Sequence, residues 1–207
     1  VDKSTDSGVT LTPQTQPNSA ETRPLLNSDF VGADTGWAVG DDGMVEKTND
    51  GGITWTQQTL GNHPHLWDVD FVDENTGWAV GSGGGIISSS DGGATWVTQT
   101  SPTTMRLLDV ATVDINTVVA VGTNGTIVRT SNGGTTWTIQ ESGTTATLGG
   151  IDFVDDRFYS CQQPCSYGLA GWVVGGNGLI LKTTDSGETW SVQGAGLTSN
   201  YLADVNV

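Results

Sequence analysis

Basic residues are scarce. The 207-residue chain carries seven Lys and Arg against 23 Asp and Glu, a formal net charge of −16. Affinity for nucleic acid comes largely from Lys and Arg neutralising phosphates, so phosphate tracking is excluded as a main activity and no nucleic-acid partner is expected. The same shortage excludes a polybasic membrane anchor. No run of about 18 apolar residues exists, so no helical transmembrane segment is expected. Only two cysteines are present, Cys161 and Cys165, spaced C-x3-C without a companion Cys or His cluster, which argues against a zinc site. A local disulfide in an oxidising compartment is the expected reading, with two free thiols as the alternative. Few lysines and abundant Thr, Ser, Asn and Gly lean towards an extracytoplasmic home, whether periplasm, lumen or extracellular space. The first residue is Val1, which fits a processed or trimmed chain. No glycine-rich phosphate loop, nucleophile elbow or HExxH pattern is found, so neither a cofactor nor a metal is expected.

Glycine and tryptophan are plentiful instead. Thirty glycines are about twice the usual share of roughly 7%, and eight tryptophans stand beside them. Disordered acidic tails are poor in aromatics, so the chain folds. The tryptophans expose a repeat. Trp55, Trp96, Trp137 and Trp190 end the phrases TNDGGITW, SSDGGATW, TSNGGTTW and TTDSGETW, the first three 41 residues apart and the fourth 53 residues on. A second series keeps step: TGWAVG at Trp37, TGWAVG at Trp78, TVVAVG at Val119 and AGWVVG at Trp172. Four units share one period, and the last holds 12 extra residues, with both cysteines, between about Arg157 and Gly168.

Each unit reads as short strands of alternating apolar and polar residues bounded by Gly, Asn and Asp. In the second unit strand A is expected at 67–72, B at 77–81, C at 86–89 and D at 94–100. A glycine turn (DDG, SGG, TNG, GNG) joins B to C and supplies the positive φ of a tight connection. Four short antiparallel strands per period of about 40 residues predict an all-β fold, a β-propeller of four-stranded blades. The repeats run at about 26–66, 67–107, 108–148 and 149–201. Both ends carry partial blades. Ser4 to Leu11, STDSGVTL, is a degenerate copy of the tryptophan phrase, so 1–24 reads as the end of a preceding blade plus a loop. The last six residues, LADVNV, match the strand A opening LWDVDF, so 202–207 starts a further blade. Either the two ends meet in one partial fifth blade, or the chain is a section of a longer propeller.

The phrase S/T-x-D-G-G-x-T-W resembles the Asp-box, or bacterial neuraminidase repeat. Together with the upstream F-V-x-x-x-T-G-W-A-V-G-x-x-G-x-I it resembles the repeat of photosystem II stability and assembly factors and their bacterial relatives. Phe71, Val72, Thr76 to Gly81, Ile86 and Ser89 to Trp96 fit this pattern in order. Departures are Asn132 for Asp, Ser186 for the first Gly, Val118 and Val119 for Gly and Trp, and the cysteine insertion. An Asp at a hairpin corner accepts backbone N–H groups within the turn, and Asn132 can do the same without charge. Asp50, Asp91, Asn132, Asp185 and the four phrase tryptophans therefore read as structure. The resemblance implies that these boxes join strands C and D, on the face opposite the ligand face, and that the ligand face is built from D-to-A and B-to-C loops.

Alignment of those loops places Pro24, His65, Arg106, Thr147 and Tyr201 in one column, with Trp67 two positions after His65. This column differs in every unit, so specificity is expected there, at His65, Trp67, Arg106 and Tyr201; tolerant loop residues are the plain alternative. Strand A carries two carboxylate columns, Asp68, Asp109 and Asp204, then Asp29, Asp70 and Asp152. Paired carboxylates serve glycoside hydrolysis or hold a hard cation, or else accept neighbouring backbone N–H groups. A sialidase needs a converging arginine trio, whereas Arg23, Arg106, Arg129 and Arg157 fall at unlike places in the repeat. Propeller xyloglucanases with paired Asp keep the hydrolase alternative open. The expectation is a non-enzymatic binding or assembly scaffold for a protein partner, a basic one favoured by the charge. A carbohydrate ligand and a structural subunit of a larger assembly are the alternatives. The insertion with Phe158, Tyr159 and Tyr167 is a second contact candidate.

Overall fold

The computed structural model describes residues 2–3, 12–13, 24–58, 60, 64–154, 169–196 and 198–207. Cys161 and Cys165, their expected disulfide and the surrounding insertion lie outside the described residues. The architecture is a β-propeller. A short pair of strands, β1 (Asp2–Lys3) and β2 (Thr12–Pro13), precedes four antiparallel four-stranded sheets. Blade 1 comprises β3 (Leu25–Val31), β4 (Thr35–Gly40), β5 (Val45–Thr48) and β6 (Thr56–Gln58). Blade 2 comprises β7 (Leu66–Phe71), β8 (Gly77–Gly81), β9 (Ile86–Ser89) and β10 (Val97–Thr98). Blade 3 comprises β11 (Leu107–Thr112), β12 (Val118–Gly122), β13 (Ile127–Thr130) and β14 (Thr138–Gln140). Blade 4 comprises β15 (Leu148–Phe153), β16 (Gly171–Gly175), β17 (Leu179–Thr183) and β18 (Ser191–Gly194). Strands follow the order A to D, inner to outer, in each blade.

Strand D of blade 2 is shorter than the 94–100 expected, because the Asp-box turn occupies the residues before Val97. In that box Ser89 Oγ donates to Asp91 Oδ1 (2.9 Å) and accepts the Gly93 N–H (2.8 Å). Asp91 Oδ1 accepts the Thr95 N–H (2.8 Å), and Oδ2 accepts the Thr95 hydroxyl (2.6 Å). Asp50 and Asp185 repeat the scheme with Thr48 and Thr183 in place of Ser89. Asn132 keeps it: Oδ1 accepts the Thr136 N–H (2.9 Å) and Nδ2 donates to the Thr136 hydroxyl (2.9 Å). The box is tied to the A-to-B turn of its own blade, Gly92 N–H to Asn75 carbonyl (2.8 Å) and Gly133 N–H to Asn116 carbonyl (2.9 Å). Each B-to-C turn is three residues with left-handed backbone at its centre, φ 55° to 68° at Asp42, Gly83, Asn124 and Asn177.

The core lies between blades. Three apolar clusters each combine the front of one blade with the back of the next. Trp37, Val39 and Val45 pack on Val69, Phe71, Ala79 and Ile87, and the other two joints repeat this arrangement. Trp37 stacks on Phe71 with centroids 3.5 Å apart, and its indole N–H donates to the Gly92 carbonyl of the next box (3.0 Å). Register explains one departure in unit three, Val118 for Gly. Phe30, Phe71 and Phe153 pair with Gly36, Gly77 and Gly171, where a Cβ would lie 2.4 to 2.6 Å from the ring. In blade 3 Thr112 replaces Phe, and its partner Val118 regains a side chain.

Ser89→Ala leaves the buried Gly93 N–H without its acceptor and should cost about 1–3 kcal/mol in a denaturant titration. Ser89→Thr, the residue of the other three boxes, should cost far less.

Candidate binding face and central carboxylates

The D-to-A loops and B-to-C turns share one face, because one hydrogen bond recurs. The carbonyls of Pro24, His65, Arg106 and Thr147 accept the N–H of Asp41, Ser82, Thr123 and Gly176, at 3.2, 2.9, 2.9 and 2.9 Å. Strand B ends in Gly40, Gly81, Gly122 and Gly175 directly beneath these carbonyls, where a Cβ would approach within 2.0 to 2.2 Å. The backbone of the varied column is therefore fixed while its side chains differ.

Two of the four expected site residues touch, Trp67 and Arg106, while His65 is bound to the neighbouring turn of blade 1. His65 Nδ1 lies 2.7 Å from Asp41 Oδ1, linking blade 2 to the turn of blade 1. The Trp67 indole N–H donates to Ser82 Oγ (3.2 Å). The Arg106 guanidinium lies 5.0 Å above the Trp67 ring, a cation–π contact worth about 0.5–1 kcal/mol at an exposed site. His65 and Arg106 are exposed and Trp67 is half-buried, so the face presents an imidazole, an indole and a guanidinium across blades 1 to 3. Tyr201 stands apart on blade 4. It occupies the space above Gly149, where a Cβ would fall 2.1 Å from the phenolic oxygen. Burial, and next the charge of Asp109, push its hydroxyl above the usual range. Pro24 and Thr147 hold corresponding backbone positions. Asp41 and Ser82 were not singled out in the sequence, although the first turn residue also differs in every unit: Asp41, Ser82, Thr123 and Gly176.

The strand A carboxylates do a different job. Each reaches the innermost strand of the following blade: Asp29 Oδ2 accepts the Phe71 N–H (2.8 Å), Asp68 Oδ2 that of Val110 (2.9 Å), and Asp70 Oδ2 that of Thr112 (2.6 Å). Asp109 accepts the Ile151 N–H (2.6 Å) and Asp152 that of Val207 (2.7 Å). Asn27 donates to Asp68 Oδ1 (2.6 Å). Where the repeat has Ala111 or Gly150 instead, Asp152 and Asp204 accept the next N–H on their own strand. The carboxylates are inter-blade staples. Among the described residues no three His, Cys, Asp or Glu side chains are grouped to hold a metal. Nor do the described arginines converge: Arg129 donates to the Ser186 carbonyl between blades 3 and 4 (2.8 Å), far in the repeat from Arg106.

Stapling crowds acids together. Burial, then the charge of Asp29, raise Asp70 to about 7. Burial raises Asp68 well above the carboxylate range, helped by a hydrogen bond shared with Asp109 and by its charge. Asp29, Asp109 and Asp152 are raised by burial as well. On the opposite face, hydrogen bonds from Thr54 lower Asp50 to about 2, and those from Thr95 lower Asp91.

The relatives of this chain agree with that architecture. The family model "Photosynthesis system II assembly factor YCF48" matches residues 96–194. The structure of YCF48 bound to D1 peptide superposes with a TM-score of 0.66 at 20% identity, over 88% of this chain and 57% of that one. YCF48 from Cyanidioschyzon merolae gives 0.65 at 22% identity, over 89% and 60%. An ancestral GH74 enzyme gives 0.61 at 15% identity, over 80% of this chain and 23% of that one. No curated protein matches in sequence. The chain thus spans about three fifths of the YCF48 structures and is a BNR-type propeller resembling that assembly factor.

The two sets of acids set opposite pH dependences. Asp70 holds a proton in the folded state between its unfolded value of 3.8 and about 7, so its share of stability is lost as pH rises through that window. The Asp-box acids stabilise above 3.8, and that share is lost as pH falls towards 2. The thermal midpoint should therefore peak near about pH 4 to 5, and Asp70→Asn should flatten the decline towards neutrality.

Proposed function

We propose that this propeller is a non-enzymatic binding or assembly scaffold that holds a protein segment on its D-to-A and B-to-C face, outside the cytoplasm. The observation that carries the reading is the Trp67 and Arg106 pair on the loop face, with His65 held on the turn of blade 1. It is built on a backbone repeated in every blade, yet its side chains occur once. Asp41 orients His65 and Ser82 orients Trp67, so the three groups are presented in fixed positions rather than as loose loop side chains. An indole and a guanidinium are the groups most often found to dominate protein interfaces.

The relatives support a protein as the ligand. A peptide is bound in one YCF48 structure, and the matching family model is that of an assembly factor. The net charge of −16 favours a partner of basic overall character through long-range steering, with Arg106 supplying a local contact of opposite sign. Extracytoplasmic placement rests on composition and on the two cysteines. The carbohydrate reading draws on likeness to GH74 enzymes, which is a likeness of fold. The strand A carboxylates it would call on are bound to backbone N–H groups, and one face of Trp67 is covered by Arg106.

The test is capture from the native source with the wild-type chain, followed by affinity measurement with Arg106→Ala, Trp67→Ala and Tyr201→Ala. Loss of roughly 10- to 30-fold in affinity, with unchanged far-UV circular dichroism, is expected for the first two. Equal affinity in all three variants would remove this face from the function. Hydrolysis of a polysaccharide panel that vanishes in Asp68→Asn would replace the scaffold reading with a hydrolase.

A further inference from the structure

Every strand A begins with an irregularity at the same place. Its pairing with strand B skips one residue, between Leu25 and Asn27, Leu66 and Asp68, Leu107 and Asp109, and Leu148 and Gly150. Leu26, Trp67, Leu108 and Gly149 are therefore bulged residues with no strand B residue opposite them. A β-bulge breaks the alternation of a strand and re-aims the side chain it carries. The consequence shows in burial. Leu66, Leu107 and Leu148, one residue earlier, are at most 1% exposed, whereas Trp67 and Leu108 are half-buried and Leu26 is 39% exposed. A single exposed leucine is ordinary. Here the bulge sets one such position in each blade, at the loop-face end of the innermost strand.

Two of the bulged residues have a defined neighbour, and in both cases it is the column residue of the following unit. The Arg106 guanidinium lies over the Trp67 ring. The Tyr201 hydroxyl lies over Gly149, in the space that a side chain there would fill. Size is matched across the joint, since the bulge without a side chain faces the largest residue of the column. The same register sets Leu26 before His65 and Leu108 before Thr147. Leu26 on blade 1 and Leu108 on blade 3 flank Trp67 on blade 2, so the row is continuous with the Trp67 and Arg106 pair. A leucine side chain offers no hydrogen bond to a sugar hydroxyl, and the occupant this row fits is a protein segment with apolar side chains.

We propose that each contact position of the loop face is composite, the bulged residue of one blade with the column residue of the next, and that Leu26 and Leu108 are binding residues. They seat apolar side chains of the partner segment on either side of Trp67. This inference rests on the reading of the loop face as a protein-binding surface.

The test is selection of a random peptide library, displayed on phage, on the full chain, keeping peptides that lose affinity for the Arg106→Ala chain. The selected peptides should share apolar positions, and Leu26→Ser and Leu108→Ser should each weaken one such peptide by about 3- to 10-fold. Replacing an apolar side chain of the peptide by alanine should cost a similar factor on the wild-type chain. It should cost nothing further on the leucine variant that faces it, a coupling that a merely structural role would not produce. Leu26 is exposed, so Leu26→Ser decides by itself if Leu108→Ser does not fold. Peptides that depend on Arg106 yet bind both leucine variants as tightly as wild type would overturn the inference and leave the loop-face reading standing. Selection that yields no peptide dependent on Arg106 or Trp67 would overturn both.

Discussion

No blade in this protein owns its core. A four-stranded sheet of about 40 residues has two apolar faces and can cover neither, so burial requires a neighbour on each side. Everything else follows from joining such sheets at a repeated angle. Trp37 on Phe71 shows the joint at its fullest: an aromatic stack, an indole hydrogen bond to the next Asp-box and a lysine over the indole. The glycines beneath the Phe rings and the strand-end carbonyls are the space these joints need.

The inner strands meet a second constraint. Strand A has one edge paired with strand B and the other facing the axis, where no strand pairs with it among the described residues. Its N–H groups need acceptors, and the carboxylates supplied by the blade before fill that need. Such staples hold blades in register through hydrogen bonds from the N–H groups of one inner strand to the acids of the blade before. Their cost is electrostatic: acids packed around one axis repel, and burial raises Asp68 well above the carboxylate range and Asp70 to about 7. The Asp-boxes show the opposite case, since exposed carboxylates with hydroxyl and N–H donors are stabilised in their charged form.

Freedom to vary is confined accordingly. Between the staples and the Asp-boxes, most positions serve the joints or the turns. The D-to-A loop column escapes because its carbonyls, not its side chains, hold the turns together. His65, Trp67, Arg106 and Tyr201 can therefore differ from unit to unit without disturbing the blades. Of eight tryptophans, seven belong to the two repeated phrases and Trp67 alone does not. Its place on this face, between Ser82 and Arg106, gives that exception a physical setting.

The sequence by itself determined the repeat, the blade and the Asp-box chemistry, because these depend on local turn geometry and on spacing along the chain, whereas the grouping of loops on one face came from the family resemblance. The Asn132 box could be read in advance, since an amide oxygen replaces a carboxylate oxygen in the same turn. Strand D was read too long because the box turn extends to the residue before Val97, which alternation alone does not reveal. Only the tertiary structure decided what the strand A acids do, because their acceptor role depends on N–H groups 42 residues away on another blade. It also separated Tyr201 from the Trp67 and Arg106 pair. These are questions of which strand lies across a joint, and cross-blade distance is fixed by packing rather than by sequence order.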